Sequence, residues 1–260
     1  MKKISIIILL FITLSSCSFI FPKIALKRSG IFEAKSELFV IGNDQKKIIF
    51  IPMHHIGRKE FYDNVANKID SLQKLNYTVF YEGVNYGKDS LIRIKNLMKL
   101  RKIKGFFPQE NKGYIDTTTN IIAGKIKYKG KYKLINQPSY GKLKVDSLTS
   151  IWADVSLTEL ITDFEKKNEK IILDKCDFSY SLKNENFKCK KTKNSLRKIF
   201  DREYAFGYRD KSLAETIAKS EKKKILIIYG SRHFWGFYFE LKKIEKNFRL
   251  KKYKTIANNV

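Results

Sequence analysis

Apolar residues in this chain gather into short dense runs separated by lysine-rich stretches, and the spacing within each run sets the element it predicts. Lys47 to Met53 (KIIFIPM) is apolar on both faces, the pattern of a buried central strand. Ser36 to Ile41 reads as a strand joined to it by the tight turn Gly42-Asn43-Asp44-Gln45. Between Lys59 and Leu75, Phe61, Val65, Ile69 and Leu72 recur at helical spacing, which predicts an amphipathic helix. Tyr77 to Tyr81 (YTVFY) is a short β-rich run, so strand, helix and strand form a βαβ unit. Ser90 to Arg101 reads as a second helix. Ser156-Leu157-Thr158-Glu159 fits a capping box opening a helix to about Lys167, and Asn194 to Lys219 reads as a helix broken near Gly207. Lys224 to Tyr229 (KILIIY) repeats the buried-strand pattern, with a helix over Phe234 to Asn247 and a closing strand over Leu250 to Ile256. From Lys104 to Asp146, Gly, Tyr and Lys are scattered, and only Tyr132 to Ile135 has strand character. No repeat shows at periods of about 20 to 50 residues. These elements predict an α/β (α+β) single domain: a central mixed sheet with a βαβ unit, flanked by helices.

The first residues change the picture. Lys2 and Lys3 precede the apolar run Ile4 to Leu14, which leads into Leu14-Ser15-Ser16-Cys17. A run this short falls below the roughly 20 residues needed to span a bilayer. Small residues before a cysteine suit cleavage and lipid attachment. The expected organisation is a lipoprotein signal peptide over 1–16, a lipid tether over 17–35 beginning at a diacylated, palmitate-type Cys17, and a folded domain over 36–260. The expected location is the bacterial cell envelope, extracytoplasmic and anchored in a membrane through the lipid. An oxidising compartment invites a disulfide between the two remaining cysteines, Cys176 and Cys189.

The formal charge of +27 comes from 53 Lys and Arg against 26 Asp and Glu, spread along the whole chain. Dispersed lysines attract anionic head groups and acidic polymers. No nucleic-acid-binding module is present, and no nucleic-acid partner is expected.

The three histidines, His54, His55 and His233, each follow the end of a predicted buried strand within four residues, and Glu82 directly follows another. In open α/β sheets, ligands bind beyond the carboxyl ends of the strands. Imidazole with carboxylate offers either a divalent metal site, suited to zinc, manganese or cobalt, or metal-free acid/base chemistry near neutral pH. Gly230, in GSRH, marks a strand-to-helix turn that needs a positive φ or a close backbone approach. Ser231 lacks the GxSxG setting of a nucleophilic serine.

IPMHHIGRKEFYDNV, then VFYEGV, and late in the chain YGSRH together resemble the TraB/GumN superfamily, which takes in TraB-type proteins, Tiki metalloproteases and erythromycin esterase-like proteins. The resemblance spans roughly Ile48 to Phe237. It implies a metal-dependent hydrolase of a peptide or ester bond, acting on a peptide or small-molecule substrate. His55 and His233 would be metal ligands, Glu82 ligand or general base, Arg209 the oxyanion stabiliser, and Gly230 the structural turn. Pro52 stands where the first motif would carry glycine, and Arg209-Asp210 replaces an arginine-asparagine pair; His55 is the preferred histidine and His54 its neighbour. A different class also fits: a non-catalytic lipoprotein that keeps the fold and holds a ligand or partner in the same crevice.

Overall fold

The computed structural model describes residues 26, 29–105, 113–122, 124, 126–182, 184 and 187–251. The signal segment, Cys17, most of the tether and positions 252–256 of the closing strand lie outside them. In chain order, β1 (Phe39–Gly42), β2 (Lys47–Met53) and β3 (Ile56–Arg58) lead into α1 (Lys59–Lys74), and β4 (Thr78–Tyr81) precedes α2 (Ser90–Lys104). Short strands β5 (Ile115–Asp116), β6 (Ile121–Ile122), β7 (Ile126–Lys127), β8 (Leu134–Asn136) and β9 (Ile151–Trp152) follow. Helices α3 (Leu157–Lys167), α4 (Lys175–Ser179) and α5 (Asn194–Ile199) come next, then a π-helical stretch, Phe200–Tyr208, and α6 (Arg209–Lys219). The chain continues through β10 (Lys224–Gly230), the 3₁₀ turn Ser231–His233, α7 (Phe234–Ile244) and β11 (Arg249–Lys251).

Six strands form one mixed sheet in the order β11-β1-β2-β10-β4-β9. The inner four, β2, β10, β4 and β9, run parallel; β1 and β11 add an antiparallel edge. The βαβ unit of β2, α1 and β4 is present, with β10 inserted between its two strands. The continuous apolar runs have the expected cause, because both faces of the sheet are covered. Alternate residues Ile49, Ile51, Leu226 and Ile228 pack with α1 through Phe61, Val65 and Ile69. Their neighbours Ile48, Phe50, Ile225 and Ile227 pack against α6 and α7 through Leu213, Ile217, Phe237 and Leu241. A third cluster joins α2, α3 and the π-helical stretch through Leu97, Leu160, Phe164, Phe200 and Tyr204.

Three local expectations change. The helix over residues 194–219 does not break at Gly207; it widens into π-helical turns over Phe200–Tyr208, immediately before Arg209. The last helix ends at Ile244 rather than Asn247. The middle region holds four short strands instead of one. Cys176 and Cys189 are bonded, with an S–S distance of 2.07 Å and Cα atoms 5.7 Å apart. The capping box at Ser156 is closed, its Oγ accepting from the Glu159 amide at 3.1 Å while Glu159 accepts from the Ser156 amide.

Candidate active site

Four parallel strands end on one rim of the sheet, and each hands over to a titratable side chain. His54 and His55 follow β2, Glu82 follows β4, Asp154 lies two residues past β9, and His233 closes the turn after β10. Arg209 and Asp210, the first residues of α6, reach the same rim from the helix layer.

Arg209 organises the centre. Its Nε and Nη2 donate to the two oxygens of Asp154 at 2.9 and 2.6 Å, and Nη2 also donates to Glu82 Oε1 at 2.6 Å. Asp154 further accepts from the amides of Gly83 and Val155. Burial opposes the charge on both partners. The carboxylate hydrogen bonds nevertheless hold the Arg209 pKa above its usual value, and Arg209 holds Asp154 below the usual carboxylate range. Tyr229, fully buried, places its ring 5.4 Å from the guanidinium carbon, and burial raises its phenol pKa. Its hydroxyl lies within electrostatic reach of Asp154 but closes no hydrogen bond of good geometry.

Glu82 uses its second oxygen to accept from the Gly230 amide at 2.6 Å. Gly230 has φ −51°, so no left-handed conformation is involved. Its requirement is space: a Cβ there would stand 3.2 Å from Glu82 Oε2 and 3.3 Å from His233 Cδ2. Of the two reasons sequence offers for this glycine, the close approach is the one that applies.

His233 is buried, with Nδ1 2.5 Å from Asp210 Oδ1 and Nε2 3.4 Å from Arg209 Nη1 and 3.9 Å from Glu82 Oε1. Guanidinium has only donors, so the network assigns Nε2 as acceptor and Nδ1–H as donor to Asp210. Burial raises the Asp210 carboxyl pKa, against the lowering effect of the His233 hydrogen bond. Room for Asp210 comes from Gly236 on α7, where a Cβ would collide with the carboxylate.

His55 stands at the mouth of the centre, its ring stacked on Tyr114 at 4.2 Å. By surface area it is exposed on one side, yet protein crowds it on the others. That desolvation lowers its pKa; Glu82 pulls the other way, and Arg209 and His233 add to the lowering. His54 turns away and packs against Phe61, and burial with the neighbouring His55 lowers its pKa to about 4. The structure therefore brings Glu82, Arg209, His233 and Gly230 into direct contact, with His55 in electrostatic reach. It leaves His54 outside.

Sequence reasoning missed the roles of Asp154, Asp210 and Gly236. Asp154 carried the same signal as Glu82, a carboxylate just past an apolar run, but β9 has only two residues and shows no period.

The expected divalent metal meets donors that are already engaged. Both Glu82 oxygens are taken, by Arg209 and by Gly230, and a guanidinium faces the His233 nitrogen that would bind the ion. Among the described residues, no three His, Cys, Asp or Glu side chains form a group able to hold a metal. The residues present do not fit a metal bound by His55, Glu82 and His233.

Fold and centre define an α/β protein with a histidine, arginine and carboxylate cluster at its parallel strand ends. No protein-family model, curated protein or solved structure matches the chain. Among the described residues, no helix is long and apolar enough to cross a membrane.

Proposed function

We propose that this protein hydrolyses a peptide or ester bond by acid/base chemistry, as a TraB/GumN-like lipoprotein held on the extracytoplasmic side of a bacterial membrane by lipid on Cys17. The observation that carries the reading is the 2.5 Å contact between His233 Nδ1 and Asp210, which leaves Nε2 directed at the Arg209–Glu82 pair. A carboxylate that fixes the tautomer of an imidazole and steadies its charged form is the arrangement of a general base. In this mechanism Nε2 takes a proton from an attacking water, and Asp210 stabilises the imidazolium that forms. The Arg209 Nη1 edge, free of carboxylates, stabilises the oxygen on which negative charge develops. Glu82 and Asp154 hold that edge in place. The open imidazole of His55, stacked on Tyr114, offers a hydrogen bond to the substrate at the mouth.

The test is hydrolysis of a panel of p-nitrophenyl esters and peptidyl p-nitroanilides by the purified chain, with and without a chelator. The reading predicts turnover that ignores the chelator and falls at least about 100-fold in His233→Ala. Turnover unchanged in that variant contradicts it, and turnover restored only by added divalent ion transfers the chemistry to a metal.

A second reading, a non-catalytic ligand- or partner-binding lipoprotein, is favoured by one observation: Glu82 and Asp154 are both committed to Arg209 within the protein. Tight ligand binding without turnover of any panel substrate is its expected outcome.

A further inference from the structure

A second cavity, about 400 Å³, opens on the same rim beside the Arg209 centre. It sits over the start of β1 and the end of β2, between Phe39 and Pro52, and reaches Ser231 beyond β10. Its floor is aromatic: Phe61 and Phe234 are buried beneath it, while Trp235 is 53% exposed and presents a free face. Its polar residues are Glu33, Glu37 and Lys35, all exposed at the opening, with His54 on the wall.

The sign of the opening runs against the composition. The chain carries roughly two basic residues for each acidic one, yet two carboxylates face one lysine here. Among the described residues neither Glu33 nor Glu37 closes an ion pair, and Arg58, a cation near Glu33, is already paired with Glu60 at 3.3 Å. Carboxylates above an aromatic floor are complementary to a cation that is itself attached to apolar surface, since the π-face and the carboxylates attract the same charge.

We propose that this cavity binds an organic cation, a primary ammonium or guanidinium group on an apolar stem, with its charge at Glu33 and Glu37 and its stem between Trp235 and the Phe61–Phe234 floor. The proposal does not rest on the hydrolytic reading of the neighbouring centre, and binding alone tests it.

The test is calorimetric titration of the purified full chain at neutral pH with benzylamine, benzyl alcohol and benzoate, three probes of similar shape and different charge. Benzylamine is expected to bind more tightly than the other two. The double variant Glu33→Gln/Glu37→Gln should abolish that preference, and Trp235→Ala should weaken benzylamine binding about three- to tenfold, the range of a cation–π contact. Both sites are exposed, so neither variant threatens the core. The proposal is overturned if benzylamine does not bind, if benzyl alcohol or benzoate binds as well, or if the preference survives the double variant. It is equally overturned if binding falls with Glu82→Gln and not with the cavity variants, which places the cation at the Arg209 centre.

Discussion

Arg101 and Arg209 are both withdrawn from solvent, but one closes a loop and the other organises a charged centre. Arg101, on α2, donates to the carbonyls of Asp177, Tyr180 and Ser181, and its guanidinium carbon lies 4.2 Å from the Phe187 ring. Beside it, Lys102 pairs with Asp174 and Asp177, and the Cys176–Cys189 bond ties the same loop. Those partners are backbone carbonyls, a salt-bridged lysine and a covalent link, so the Arg101 region has the character of a staple. Arg209 instead meets two carboxylates from different strand ends and keeps one Nη1 edge facing an imidazole. A buried cation is therefore no sign of chemistry by itself. The partners decide: the Arg209 cluster brings together groups that titrate and accept protons, and the Arg101 cluster mostly neutral carbonyls.

The largest expected difference comes from removing each guanidinium. Arg209→Leu leaves Glu82 and Asp154 buried without their cation and should cost about 3–5 kcal/mol in denaturant unfolding, together with all hydrolysis. Arg101→Met leaves carbonyls unpaired and should cost about 1–3 kcal/mol, with hydrolysis retained by the folded fraction. Equal losses of activity in the two variants would erase the distinction.

Cutting the covalent staple comes next. Cys176→Ser/Cys189→Ser should lower stability by about 3 kcal/mol, the chain-entropy expectation for a loop of this length. At a temperature where the variant remains folded, its hydrolytic rate should match the parent; a lost rate would tie the loop to the centre. Gly236→Ala acts on the opposite region. The added methyl collides with Asp210, so the variant should lose about 1–3 kcal/mol of stability and a larger share of its activity, read as kcat on folded protein.

The smallest effect is the pH dependence that Asp154 contributes. Its folded pKa lies below its unfolded value, so the unfolded chain binds more protons in that interval. The stabilisation is fully present above the ordinary carboxylate pKa of about 3.9 and is lost as pH falls through the lower folded value. Thermal melts from pH 6 down to pH 3 should show this acid loss in the parent and a flatter profile in Arg209→Leu.

Much of this contrast was legible in the sequence. The runs over residues 48–53, 77–81 and 224–229 announced β2, β4 and β10 because a strand covered on both faces has no polar positions to obscure it. Ser156 and Glu159 announced a helix start because a capping box is a local device. Glu82, His55 and His233 stood out as polar residues closing apolar runs. Asp154 did not, because β9 is two residues long and Trp152 in it is exposed. Asp210 and Gly236 were illegible for another reason. Their relation is a contact between α6 and α7, and no local spacing encodes it. The π-helical turns before Arg209 were read as a break near Gly207, since period 3.6 fails there without indicating that the helix continues in a wider form.

The central claim is that His233 is a base oriented by Asp210, with Nε2 unprotonated toward Arg209. Nitrogen-15 NMR of histidine-labelled protein near neutral pH reads this directly and needs no substrate. The account predicts that His233 is the Nδ1–H tautomer, with a pyridine-type Nε2 and an Nδ1 proton shifted strongly downfield, and that Asp210→Asn alters both signals. A proton on Nε2 with a free Nδ1, or spectra unchanged in Asp210→Asn, would contradict it.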